Sequence, residues 1–283
     1  MTGPTLAFAG EAGSFAEDAA LLYRPDCRAE PVPTFRHVFE AVAGEQADGG
    51  VVPIENVTQG TVREVYDLLL EHRLVIVGEV EVPVSLCLAA LPGQSLDDIE
   101  RVYSHVQALA QAEPFLRTRL WTLLASTTTA GAGGDIVRRR EQGAAAVLSP
   151  RAAALHGLHV LAEAIHSDAR NRTRFLVLAG GGGPEWAAAG TPGGRTRTTL
   201  AFSVANEPGT LLSVLSVFAE HDINVSKLES RPSREREWEY VFWADLDADL
   251  YDAQGEESAA VLEQLRTVTV SSRVMGCYPI RGA

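Results

Sequence analysis

The chain has 283 residues, 46% of them hydrophobic and 22% charged, and carries a formal net charge of −13. That length and apolar content suffice for two or three soluble domains, while the acidic balance excludes a general nucleic-acid binder, which needs a basic face. No run of about 18 apolar residues is present to span a membrane, and the first eight residues lack a basic leader region, so the reading expects a cytoplasmic protein.

In chain order, residues 5–9 read as a strand, 15–23 as a helix and 50–52 as a short buried strand. Residues 61–71 are amphipathic, with Val62, Val65, Tyr66, Leu69 and Leu70 on one face, and predict a helix. A β-rich stretch over 74–91 follows, with Pro83 marking a bend or crossover. Next come strand 101–103, helix 106–117, strand 121–125, helix 130–141, strand 144–148 and helix 151–156, then β runs over 159–165 and 174–179. This alternation predicts parallel sheets with helices on both faces. Glycines and prolines from Gly180 to Gly194 form a connection with little to bury, which reads as a linker. Beyond it, strand 198–204, helix 208–221 opened by Asn206, strands 225–228 and 240–247, helix 256–268 and a β run over 269–278 give the order βαββαβ, a ferredoxin-like split βαβ unit.

Residue usage narrows the chemistry. Lys227 is the only lysine, so P-loop, Schiff-base and Ser-Lys chemistry would all depend on one residue whose surroundings fit none of them. Cys27, Cys87 and Cys277 are too scattered for a disulfide framework or a zinc site, and no His/Cys/carboxylate cluster shows ligand spacing, so no metal is expected. Polar residues recur instead at the strand-to-helix junctions: Ser14, then Asn56, Thr58 and Thr61, then Ser104, residues 126–129, and Ser149. Each can be a helix N-cap and nothing more. In a parallel sheet, however, these junctions share the edge where ligands bind, and helix N-termini there present free N–H groups to an anion. Asn171-Arg172-Thr173-Arg174-Phe175 adds an amide, a hydroxyl and a guanidinium directly ahead of an apolar run; an exposed basic turn capped by Asn171 is the plain alternative. Together these residues describe a pocket for a small polycarboxylate between two lobes, as in a binding protein.

Several segments carry a family resemblance. Val52-Pro53-Ile54-Glu55-Asn56, Ser104-His105-Val106-Gln107-Ala108-Leu109, Thr129-Ala130-Gly131-Ala132, His156-Gly157-Leu158 and Asn171-Arg172-Thr173-Arg174-Phe175 resemble the bacterial prephenate dehydratases. Pro208-Gly209-Thr210-Leu211-Leu212 and Leu228-Glu229-Ser230-Arg231-Pro232 resemble an ACT regulatory domain. The resemblance implies a two-lobed, periplasmic-binding-protein-like (type II) catalytic region over 1–180, a linker over 181–196 and a ferredoxin-like ACT domain over 197–283. It implies a cofactor-free lyase that converts prephenate to phenylpyruvate, with loss of CO2 and water, and is inhibited by L-phenylalanine. By the same resemblance Thr173 assists the departing hydroxyl, Arg174 pairs with a carboxylate, and Glu55 or a water relays the proton. Asn56, Ser104, Gln107, Gln111, Thr129, Ser14 and Phe175 are expected to line the substrate site, with His105 a further acid/base candidate and core packing the alternative for Phe175. Asn206, Pro208, Gly209, Leu211, Leu212, Glu229 and Ser230 are expected to hold L-phenylalanine between subunits of a homodimer or homotetramer. The first strand at Thr5 leaves no expected room for the mutase domain fused upstream in some members.

Two departures stand out. Val57 occupies the place where the family usually carries a hydroxyl, with Thr58 next, and Gly10-Glu11-Ala12 replaces a more usual Gly-Pro turn. The change at Val57 keeps open a related lyase (arogenate dehydratase, or a non-aromatising prephenate decarboxylase); a catalytically inactive ligand sensor is the other alternative, and the intact Thr173 and Arg174 argue against it.

Overall fold

A computed structural model describes residues 3–181, 195–233, 239–250 and 256–281. Most of the expected linker, residues 182–194, lies outside them. The chain divides into two compact units, one made of residues 1–71 and 80–176 and the other of residues 72–79 and 177–281.

The first unit holds two sheets. Its elements in order are β1 (Thr5–Ala9), α1 (Phe15–Tyr23), β2 (Arg28–Val32), α2 (Phe35–Ala43), β3 (Gly49–Asn56), β4 (Gly60–Thr61), α3 (Arg63–Glu71) and the end of β5 (Val75–Pro83). Then follow β6 (Cys87–Ala90), β7 (Arg101–Ser104), α4 (Val106–Gln111), α5 (Glu113–Leu116), β8 (Thr122–Ala125), α6 (Thr129–Arg139), β9 (Ala144–Leu148), α7 (Pro150–Leu155), β10 (His159–Ala162) and the start of β11 (Arg172–Ala179). One lobe is built on the strand order β11-β3-β1-β2, the other on β10-β6-β9-β7-β8. β1 pairs in parallel with β2 and β3, and β7 with β8 and β9. The all-parallel expectation fails at β6, which is antiparallel to both β9 and β10. The chain enters the second lobe along β6 from outside its βα repeat, so β6 runs against β7, β8, β9 and β10.

Local sequence explains most boundaries. Ser14, Thr34, Thr128 and Ser149 cap α1, α2, α6 and α7, each accepting a backbone N–H three residues on. The single helix expected over 106–117 is two, because Pro114 cannot continue α4 and instead starts α5. The sequence reading assigns nothing to 28–43, where the structure has β2 and α2. β2 is a largely exposed strand with a proline and no apolar alternation, whereas Phe35, Val38, Phe39 and Val42 give α2 a plain helical stripe. In the second lobe β6 and β9 are buried throughout, and their alanines let helices pack closely on both faces. The two lobes touch where Gly13, at φ +84, passes so close to Ala152 that a Cβ would lie 2.7 Å from its Cα. There the Ser149 hydroxyl donates to the Gly13 carbonyl and Arg151 pairs with Glu17 and Asp18.

The second unit contains β12 (Thr196–Ser203), α8 (Thr210–Glu220), β13 (Val225–Pro232), β14 (Tyr240–Leu246), α9 (Glu256–Val268) and β15 (Ser271–Arg281) in the strand order β13-β14-β12-β15. Every described pairing among these strands is antiparallel. Leu200, Phe202, Val214, Phe218, Ala244, Leu246, Val261 and Leu265 form its core between sheet and helices. This is the βαββαβ order read from the sequence. Residues 72–79, which the sequence reading places in the first domain, belong to this unit for a physical reason. Gly276 has no side chain and packs against the Ile76 carbonyl, and the Arg273 guanidinium donates to the His72 and Leu74 carbonyls. The fully buried Glu79 carboxylate accepts from Arg197 Nη1 at 2.6 Å. Among the described residues no helix is long and apolar enough to cross a membrane.

Candidate active site

A cavity of about 390 Å³ lies in the first unit and is walled by both lobes. Its polar wall includes Asn56, Gln59, Thr61, Gln107, Gln111, Thr129 and Thr173; its apolar wall includes Phe15, Phe35, Val62, Val84, Leu86 and Phe175. No side chain in this lining carries a charge. What the lining has instead is helix starts: Phe15, Phe35 and Thr129 are the first residues of α1, α2 and α6, and Gln107 is the second of α4. Such positions bring unpaired N–H groups and the positive ends of helix dipoles toward a ligand. The volume falls within the range of about 300–1,000 Å³ usual for small-molecule sites.

At the centre of the polar wall is a network between β3 and β11. Asn56 Nδ2 donates to Thr173 Oγ1 at 2.9 Å, to Asn171 Oδ1 at 2.9 Å and to the Arg172 carbonyl at 3.0 Å. Asn56 Oδ1 accepts from the backbone N–H groups of Thr58 and Gln59, both at 3.0 Å, and from Thr58 Oγ1 at 2.8 Å. The Thr58 hydroxyl thus serves the loop after β3, while Val57 is exposed and contributes nothing to the lining. Gln111 Nε2 reaches Thr58 Oγ1 at 3.5 Å.

The expected site residues divide. Asn56, Gln107, Gln111, Thr129, Thr173 and Phe175 come together around the cavity. Arg174 and Glu55 do not line it. Alternation along β11 turns Arg174 away from the face shared by Thr173 and Phe175, and its Nη1 meets Glu55 Oε2 at 3.0 Å. Arg174 thus has the Glu55 carboxylate as a partner. Phe175 sits beside Thr173 on the cavity face, not beneath Arg174. Ser14 is spent on capping α1, and the fully buried Ser104 hydroxyl donates to the Val147 carbonyl at 2.6 Å, tying β7 to β9. His105 caps α4 through Nδ1. Burial pushes the Cys87 thiol up to about 11, so it is not a nucleophile at neutral pH. Phe35 and Gln59 line the cavity and went unassigned, although for Phe35 the signal was available in the α2 stripe following Thr34; Asn171, read as the motif's amide or as the cap of an exposed turn, is buried beside Asn56.

In the second unit a cavity of about 250 Å³ is lined by Asn206, Gly209, Leu211 and Leu212, with Glu239, Tyr240 and Phe242 opposite. Gly209, at φ +89, is the residue that opens α8; the opening expected at Asn206 comes three residues later because the turn needs a left-handed position. Pro208 is not among the lining residues. Glu229 and Ser230 lie on β13 and are not in the lining either, Glu229 facing Lys227 and Arg231.

Comparison with known proteins bears on both cavities. The family model described as prephenate dehydratase matches residues 6–181, and that of the ACT domain matches residues 198–250. Among curated relatives, the arogenate dehydratase/prephenate dehydratase 1 of Arabidopsis thaliana is 36% identical over 97% of this chain and 72% of its own length. The bifunctional chorismate mutase/prephenate dehydratase of Aquifex aeolicus is 35% identical over 97% of this chain and 73% of its own. A solved prephenate dehydratase of Arthrobacter aurescens in complex with L-Phe superposes with a TM-score of 0.84 at 30% identity, covering 97% of this chain and 89% of that one. GqqA, described as a novel type of quorum quenching acylases, superposes at 0.86 with 29% identity, covering 98% of each chain. With a match spanning both lobes and a separate one on the βαββαβ unit, the chain belongs to the prephenate dehydratase family, with an ACT domain after its catalytic region.

Proposed function

We propose that this chain catalyses the decarboxylating dehydration of prephenate to phenylpyruvate. The observation that carries the reading is Thr173 Oγ1, held in the cavity wall by the Asn56 amide in a lining free of charged side chains. Prephenate is a dianion that must lose a ring carboxylate as CO2 and a ring hydroxyl as water. The electron pair of the breaking C–C bond becomes part of the aromatic ring, the C–O pair leaves with the hydroxyl, and one proton completes the water. The protein therefore needs to hold an anion and hydrogen-bond a leaving oxygen. Helix N-termini, Thr129, Gln107 and Gln111 serve the first task. Thr173 serves the second, because an oxygen that accepts from Asn56 keeps its own proton to donate. An acylase reading, prompted by the likeness to GqqA, fits less well: a nucleophilic Thr173 needs a neighbouring base, and the amide nitrogen beside it is a donor.

Incubation with prephenate, followed by the ultraviolet absorbance of phenylpyruvate in alkali, tests the reaction. Arogenate run in parallel, with phenylalanine as the product, tests the substrate. Phenylpyruvate formation is the expected result, and a protein inert toward both substrates would refute the reading.

The domain roles follow from the same reading: residues 1–180 catalyse, 181–196 link and 197–283 regulate. L-Phenylalanine binds at the Asn206–Leu212 cavity, completed by a second subunit in a homodimer or homotetramer. Cutting the chain at the linker is a poor test, since it would strip residues 72–79 of their partners. Gly209→Ala is a better one. It strains a left-handed turn and is expected to weaken inhibition by phenylalanine at least about tenfold while sparing basal turnover. Unchanged inhibition would place the effector elsewhere.

A further inference from the structure

Asn171 stands one residue before β11, between arginines, yet it is only 3% exposed. Its backbone ties together the two points where the chain crosses between lobes. Its carbonyl accepts from Val84 N at 2.9 Å, and its N–H donates to the Asp168 carbonyl at 3.0 Å. Its side chain is used on one side only. Oδ1 accepts from Asn56 Nδ2, with Thr58 Oγ1 farther off at 3.4 Å, while Nδ2 is buried with no hydrogen-bond partner. A buried donor without a partner is costly, and buried positions normally avoid one. An asparagine kept here despite that cost points to a use for its oxygen.

The use follows from the Asn56 amide, whose sense is set by backbone groups that cannot reverse roles. Thr58 N and Gln59 N can only donate, so they face Oδ1, and the Arg172 carbonyl can only accept, so it faces Nδ2. Nδ2 carries two hydrogens for three acceptors, Asn171 Oδ1, the Arg172 carbonyl and Thr173 Oγ1, all within 3.0 Å, so one hydrogen is shared between two of them. Because Nδ2 can only donate, Thr173 Oγ1 meets it as an acceptor that takes a share of those hydrogens, and the hydroxyl proton is free to point elsewhere, the cavity included. Without that donor a threonine hydroxyl turns to whichever acceptor is nearest.

We propose that Asn171 is a positioning residue for the reaction: its side-chain carbonyl anchors the Asn56 amide, which in turn holds the Thr173 hydroxyl with its proton directed at the leaving oxygen. This rests on the reading of Thr173 as the hydroxyl that assists departure. It also explains why the position is not aspartate. A carboxylate would accept equally well and remove the orphaned donor, but it would place a negative charge beside a pocket for a dianion.

The test is a double-mutant cycle in the full-length protein, with kcat and KM for prephenate measured in wild type, Asn171→Ala, Thr173→Ala and the double variant, and folding checked by circular dichroism. Asn171→Ala is expected to lower kcat about 10–100-fold with KM changed less than about threefold. In the Thr173→Ala background the same change is expected to cost less than about twofold, because the group it positions is gone. Equal losses in both backgrounds would make Asn171 merely structural and overturn the proposal. Undiminished kcat in Thr173→Ala would sink the reading beneath it, and the proposal with it. Should Asn171→Ala fail to fold, Asn171→Asp decides: kcat kept within about fivefold with a raised KM supports an acceptor role, and a kcat as low as that of Thr173→Ala refutes it.

Discussion

The two faces of β11 do different work although their residues are neighbours in one motif. One face turns Thr173 and Phe175 into a cavity whose lining carries no charged side chain, and the hydroxyl there lies 2.9 Å from the Asn56 amide nitrogen. The other face turns Arg174 to Glu55 in a partly buried ion pair. Successive side chains of a strand point to opposite faces, so a motif that reads Thr-Arg-Phe is two devices, one facing the cavity and one facing protein. On the reading proposed above, the pocket meets an anion with amides, hydroxyls and helix starts, and the guanidinium secures the strand that carries the hydroxyl.

Replacing Thr173 by alanine should break the cavity face outright. Loss of one positioned donor typically costs about 10²–10³ in kcat, and KM should move little; steady-state kinetics on prephenate read both. Asn56→Asp is subtler. It keeps the oxygen to which Thr58 and Gln59 donate but replaces the donor to Thr173 by an acceptor, so kcat should fall about 10–100-fold. A near-normal kcat would show that Thr173 does not need its partner. Arg174→Lys probes the other face and should be mild. A lysine retains the charge opposite Glu55, so KM should stay within about twofold and thermal unfolding should report a loss below about 1 kcal/mol. A large rise in KM would return Arg174 to the substrate.

Much of this architecture was legible in the sequence. The strand–helix alternation, the ferredoxin-like order after the glycine-rich stretch and the hydroxyls at helix starts all follow from local patterns. What local patterns could not give is which junction residue faces the ligand. Ser14, Thr34 and Thr128 turn back to cap their helices, and Phe15, Phe35 and Thr129, each one residue later, form the wall. Ser104 looks like a pocket hydroxyl until β9 is placed beside β7 and supplies the Val147 carbonyl. Arg174 was readable, since period-2 alternation separates it from Thr173 as soon as residues 172–179 are a strand. The burial of Asn171 was not, since it depends on Val84 and Asn56, both more than 80 residues away in the chain.

The pH dependence of kcat/KM, measured for wild type and Glu55→Gln, tests most directly whether the uncharged face does the chemistry. The lining offers no titratable side chain, so the account predicts a profile flat from about pH 6 to 9, where both substrate carboxylates are ionised, and the same profile in Glu55→Gln. A limb within that range that disappears in Glu55→Gln would contradict it, placing the proton on the ion-paired face of β11.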